Sequence, residues 1–178
     1  MSLFTRLIRR FRRSEKGNAT IEFVLVFPIF IYIFMSAFES GLLAVRHVML
    51  ERALDLTVRD LRLGNLAGPT HDELKTLICN RATILPDCMN ALQLELRPVS
   101  TTTWSPLGSN ATCVDRSGTI TPVVAFDGGG DNEMMLVRAC AIFDPIFTGN
   151  GMGFHMRVDH TGGYALVSTS AFVNEPRS

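Results

Sequence analysis

Most of the residue patterns that would mark an enzyme are missing from this 178-residue chain. No Gly-Lys-Ser or Gly-Lys-Thr follows a glycine run, so Asp127-Gly128-Gly129-Gly130-Asp131 is not a phosphate-binding loop. That stretch also lacks the further spaced acids of an EF-hand and reads as a flexible turn. There is no Gly-x-Ser-x-Gly elbow and no Cys-x-x-Cys pair, which removes the hydrolase and thioredoxin-like signatures. Of the four histidines, His155 and His160 are five apart and cannot share a helix face as a zinc-protease pair does, while His47 and His71 are isolated and read as solvated or capping residues. Charge of one sign is equally scarce: 17 Lys and Arg balance 17 Asp and Glu, so no global basic field points to nucleic acid. The expectation is a chain that is not an enzyme and uses no cofactor and no metal.

What the chain does have is concentrated near its start. Arg6, Arg9, Arg10, Arg12, Arg13 and Lys16 stand against Glu15 alone, and from Ile21 to Phe38 only Glu22, Tyr32 and Ser36 interrupt an apolar run. At about 1.5 Å per residue, residues 19 to 38 would reach roughly 30 Å, the thickness of the hydrocarbon core. The positive-inside bias places the leader in the cytoplasm and the chain beyond about residue 40 outside. A secretory signal peptide has similar ingredients, but its apolar region is usually shorter, and no small-x-small cleavage site follows this one. A retained span is therefore expected. Glu22 is then the informative interruption: an acid at mid-span costs about 2.5 to 3.5 kcal/mol on insertion scales, and less near an end, so it needs either the headgroup region or a partner.

The order of basic leader, Gly17, Glu22-Phe23 and an apolar helix with Pro28 resembles the class III signal of type IV pilin-like proteins. More narrowly, Gly-x-x-x-x-Glu-Phe-x-x-x-x-Pro resembles the TadE-like pseudopilins of tight-adherence (Flp) pilus systems, over about residues 9 to 63. Beyond that the resemblance is weaker, although Phe172-Val173-Asn174-Glu175-Pro176 is similar to the end of many members. Asn18 departs from the pilin pattern, in which Phe often follows the glycine. The resemblance implies cleavage between Gly17 and Asn18 by a prepilin peptidase, and it implies an inner-membrane assembly platform, other pilin and pseudopilin subunits and membrane lipid as partners. The implied location is the bacterial inner membrane, single-pass, with passage into a pilus used for adhesion. Lacking a Cβ, Gly17 would let the backbone enter a narrow cleft. Cleavage would expose an α-amine on Asn18, which a neighbouring subunit's Glu22 could neutralise. Pro28 is expected to kink or loosen the helix. A different class of function is a permanently anchored envelope or surface-ligand binder whose leader is never removed.

The helix is expected to continue past the apolar run to about residue 63. Leu43, Leu50, Leu54, Thr57, Val58 and Leu61 form a stripe at helical spacing, with Glu51, Arg52, Asp55, Arg59 and Arg62 opposite and Asp55 to Arg59 as an i, i+4 pair. Gly64 and then Gly68-Pro69 stop it. Thr70-His71-Asp72-Glu73 opens a short helix as a capping box. Leu92, Leu94 and Leu96 alternate with Gln93, Glu95 and Arg97 as a strand, and further strands are expected near residues 120–126, 134–143 and 164–173. Residues 100–117 read as a surface excursion. The fold class is α+β: a long N-terminal helix on a small antiparallel sheet, which the resemblance also implies. The organisation is a leader at 1–17, a span at 18–40, a helical continuation at 41–64 and an exported domain at 65–178. Cys79, Cys88, Cys113 and Cys140 all fall in that last part, where disulfides can form. Three connectivities are open. Locality favours Cys79 with Cys88 and Cys113 with Cys140, each worth about 2 to 4 kcal/mol.

Overall fold

The structure, a computed structural model, describes residues 18–66, 68–103, 111–116, 118, 124–147 and 163–176. The basic leader, Gly17, His155, His160 and part of the surface excursion lie outside the described residues. Two compact units divide the chain, residues 1–38 and residues 39–178.

Helix α1 runs unbroken from Asn18 to Arg62, with Pro28 inside it. Within the first unit Phe23 stacks on Phe27, ring centroids 4.7 Å apart. In the second unit the predicted stripe is the buried one: Leu43, Leu50, Leu54, Thr57 and Val58 are buried, Leu61 is partly so, and Ala53 joins them. The Thr57 hydroxyl donates to the Ala53 carbonyl at 2.8 Å, which satisfies a polar group on this apolar face. Glu51, Arg52, Asp55, Arg59 and Arg62 are exposed, as expected, although Asp55 and Arg59 are not among the ion pairs of the described residues. The helix ends in a Schellman arrangement. Asn65 N–H donates to the Asp60 carbonyl, Gly64 N–H donates to Leu61, and Gly64 takes φ 70°, where a residue with a Cβ would be strained.

Helix α2, His71–Arg81, starts on the expected capping box: Glu73 N–H donates to the Thr70 hydroxyl, and Thr70 N–H donates to the Glu73 carboxylate at 2.8 Å. The Thr70 N–H, and after it the Thr70 hydroxyl, which also donates to that carboxylate at 3.0 Å, hold the Glu73 carboxyl below its usual range. A single-turn helix α3, Cys88–Ala91, follows, preceded by Asp87 in the left-handed region. The sheet has the order β1-β2-β3, with β1 at Leu92–Pro98, β2 at Met134–Phe143 and β3 at Tyr164–Val173. Both pairings are antiparallel; Leu94 faces Ala139, and Val137 faces Ser170. One core joins Leu50, Leu54, Leu74 and Ile78 to Leu92, Leu94 and Leu96 of β1, Val137 of β2, and Leu166 and Phe172 of β3.

Three expectations change. The strand expected near 120–126 lies partly outside the described residues, and its end contributes a single parallel bridge, Phe126 to Leu96. His71 is neither solvated nor a cap: its ring meets Phe126 edge-on at 5.4 Å, while Nδ1 lies 3.2 Å from Asp72. The glycine run is a tied turn rather than a flexible one. Asp127 accepts from Gly129 N–H, Glu133 accepts from Gly130 N–H at 2.7 Å, and the Asn174 amide donates to the carbonyls of Gly128 and Gly130. The next residue, Glu175, pairs with Arg62 at the end of α1, 3.2 Å away. Thus the Asn174-Glu175 segment clasps both the glycine turn and the long helix.

Disulfides join Cys79 to Cys88, closing the Pro86 turn, and Cys113 to Cys140, fastening residues 111–116 to β2. The second bond explains why Cys140 and Ile142 are buried on the sheet face that alternation alone would leave open.

Candidate functional site: the apolar helix and its acidic ends

Large apolar side chains on the first unit of α1 are exposed on every side: Ile21, Phe23, Val24, Leu25, Phe30 and Ile33 all expose about half of their surface or more. An all-round apolar helix of this length is stable in lipid or against other helices, not in water. One stretch within Ala19–Arg62 is long and apolar enough to cross a membrane, which is compatible with a single-pass anchor. Glu22 is exposed one turn into this helix, beside Phe23, which is 60% exposed. Asn18 is the first helical residue. Pro28 has no N–H to give, so the Val24 carbonyl loses its usual intrahelical partner.

A second acid was not legible as a functional residue in the sequence. Glu39, directly after the apolar run, is only 2% exposed. It accepts a hydrogen bond from Ile146 N–H at 2.9 Å, while its other oxygen is buried with no partner among the described residues. Two turns along α1, Arg46 lies over the Phe143 ring at 4.6 Å, and Phe143 meets Tyr164 edge-on. Burial lowers the Arg46 pKa, with the Glu39 charge opposing that shift. Burial chiefly, and then Glu39, raises the Tyr164 phenol. The available signal was positional, since an acid closing an apolar run must be either solvated or satisfied by its own fold. Here backbone binds it, and the contact fixes the turn after β2 to α1.

Arg81 makes the comparable link at the other end of the helix. It donates to Asp60 through one nitrogen and to the Thr57 hydroxyl through another, at 3.1 Å. The Arg81 hydrogen bond leads the effects that hold the Asp60 carboxyl below its usual value. A depressed carboxylate stabilises the fold fully above the unfolded value near 4 and loses that contribution as pH falls through its lower folded value. Arg81→Met is therefore expected to cost about 1 to 2 kcal/mol at pH 7. The cost should shrink at a pH well below the ordinary carboxylate range, where Asp60 takes up its proton. Denaturant midpoints of the full chain in detergent at the two pH values measure both effects; an equal loss at both would assign the effect to packing.

A helix of this length and apolarity in a chain with a disulfide-bonded α+β sheet unit defines a class, the membrane-anchorable α+β protein with one long N-terminal helix. Within that class, the family model described as TadE-like protein matches residues 17–59, which supports a TadE-like protein. The match begins at Gly17, includes Glu22, Phe23 and Pro28, and stops in the last turn of α1. Combined with the apolar helix, it fits a membrane protein related to Tad pili. No curated protein and no solved structure matches the chain.

Proposed function

We propose that this protein is a minor pilin or pseudopilin: a non-enzymatic subunit that is cleaved after Gly17, held in the inner membrane by α1 with its head outside, and passed by an assembly platform into a tight-adherence pilus. The observation that carries the proposal is the family match over residues 17–59, which spans the implied cleavage residue, the acid and the whole apolar stretch. Glu22 supports it physically. It is the only acid in the apolar run, so a new α-amine on Asn18 of an adjoining subunit is a counter-charge it can use, and opposite charges attract far more strongly in lipid than in water. The leader holds the scissile bond at the cytoplasmic headgroups, where each nearby Lys or Arg adds about 1 kcal/mol of attraction to anionic lipid.

The test is the intact mass and N-terminal sequence of the protein recovered from native membranes. A chain that starts at Asn18 is the expected result. One that keeps its leader would replace this reading with a permanently anchored envelope or surface-ligand binder.

A further inference from the structure

Strand β3 is one edge of the described sheet. It is ten residues long, Tyr-Ala-Leu-Val-Ser-Thr-Ser-Ala-Phe-Val, without a charge or a proline, and no strand lies beyond it among the described residues. Exposed edges are normally kept short or carry charges, proline or a covering segment. The opposite edge of this sheet follows that rule: β1 carries Glu95 and Arg97, ends at Pro98, and is covered at Leu96 by backbone bonds to Ala125 and Asp127. On β3, by contrast, Thr169 and Ala171 are exposed and Val173 is 50% exposed.

The hydrogen-bond parity of β3 is fixed at its end. Asn174 N–H donates to Glu133, and its carbonyl accepts from Asn132, so both backbone groups of Asn174 turn toward β2. By the two-residue repeat, the backbone groups of Ala165, Val167, Thr169, Ala171 and Val173 turn outward. The strand is also self-complementary about Thr169. Read antiparallel against itself, Thr169 meets Thr169, Ser168 meets Ser170, Val167 meets Ala171, Leu166 meets Phe172 and Ala165 meets Val173. Small hydroxyl residues fall at the centre, apolar residues pair on either side, and no position faces an unlike neighbour.

We infer that β3 is the pairing edge for a second copy of this chain, joined antiparallel about a two-fold axis at Thr169 into one continuous six-stranded sheet. The five outward residues of each copy would then exchange about ten backbone hydrogen bonds. A two-fold contact uses the same patch on both copies, which is what a self-complementary strand provides. The inference is independent of whether the leader is removed.

Purified full-length chain in detergent tests it by light scattering at micromolar concentration, together with single cysteine variants under mild oxidation. The wild type is expected to be a dimer. Thr169→Cys should form a covalent dimer. Ala171→Cys should not, because its copy lies four residues along the strand, about 13 Å away and beyond disulfide reach. Thr169→Lys sets like charges opposite one another and should weaken the dimer by roughly tenfold. Thr169→Val should leave it intact. Peptide mapping of the Cys79–Cys88 and Cys113–Cys140 bonds confirms that each variant is folded. A monomeric wild type, equal cross-linking at 169 and 171, a dimer indifferent to Thr169→Lys, or Thr169→Cys trapping a different polypeptide in native membranes would each overturn the inference.

Discussion

Leu54→Ala is expected to destabilise the head by about 3 to 4 kcal/mol, the range for deleting a fully enclosed leucine whose surroundings cannot collapse into the space. Leu54 is 1% exposed in a core that also holds Leu50, Leu74, Ile78 and the inward leucines of β1. Its near neighbour Leu56 is 40% exposed on the same helix, and Leu56→Ala should stay within about 0.5 kcal/mol of the parent. Denaturant midpoints of full-length protein in detergent, compared at unchanged slope, separate the two. Equal losses would mean that the stripe supports the helix through propensity alone and not through packing on the sheet.

Glu22→Ala should give the largest functional effect. If Glu22 receives the Asn18 amine of an adjoining subunit, its removal leaves one uncompensated charge per contact. Incorporation should fall by about tenfold or more, since every 1.4 kcal/mol is a factor of ten. Cleavage should continue, because the proposed pair forms only after the Gly17-Asn18 bond has been cut and the Asn18 amine released. The measurement is the ratio of subunit in sheared surface filaments to subunit in membranes, with the N-terminal mass recorded on the same samples. Normal incorporation would sink the pairing idea and leave Glu22 as a headgroup-level residue.

The sequence exposed what depends on periodicity and local chemistry. The helix over 18–62 shows in an apolar run followed by a 3.6-residue stripe, the Thr70 start in its capping box, and β1 in the alternation of Leu92, Leu94 and Leu96. The cysteine pairs found in the fold, 79 with 88 and 113 with 140, are the two that locality favours. What could not be read depends on contacts distant in sequence. Glu39 looks like a solvated acid at the end of a span until Ile146, 107 residues away, is found donating to it. Gln93 sits at a polar position in its strand yet is buried, because the second sheet face is partly covered and no pattern within a strand records what covers it, while Ser168 is buried on the core face opposite Ala139. The glycine run resembles a loose turn for the same reason: Asn174, more than forty residues on, is what holds it. In the candidate site, the acid at 22 was visible because its surroundings are all apolar, whereas the role of the acid at 39 lies in the fold that encloses it.

The clasp at Asn174 and Glu175 also sets a clock. Arg62 and the glutamate that pairs with it are 113 residues apart, so the end of α1 is synthesised long before its partner exists. At about 5 to 20 residues per second, the delay is on the order of 6 to 20 s. For most of that interval Leu50 and Leu54 have neither β3 nor the closing segment in their core, although an isolated helix forms in about a microsecond. The nascent chain therefore carries a finished, apolar-striped helix through most of its synthesis, and that stripe needs shielding until the last strand arrives.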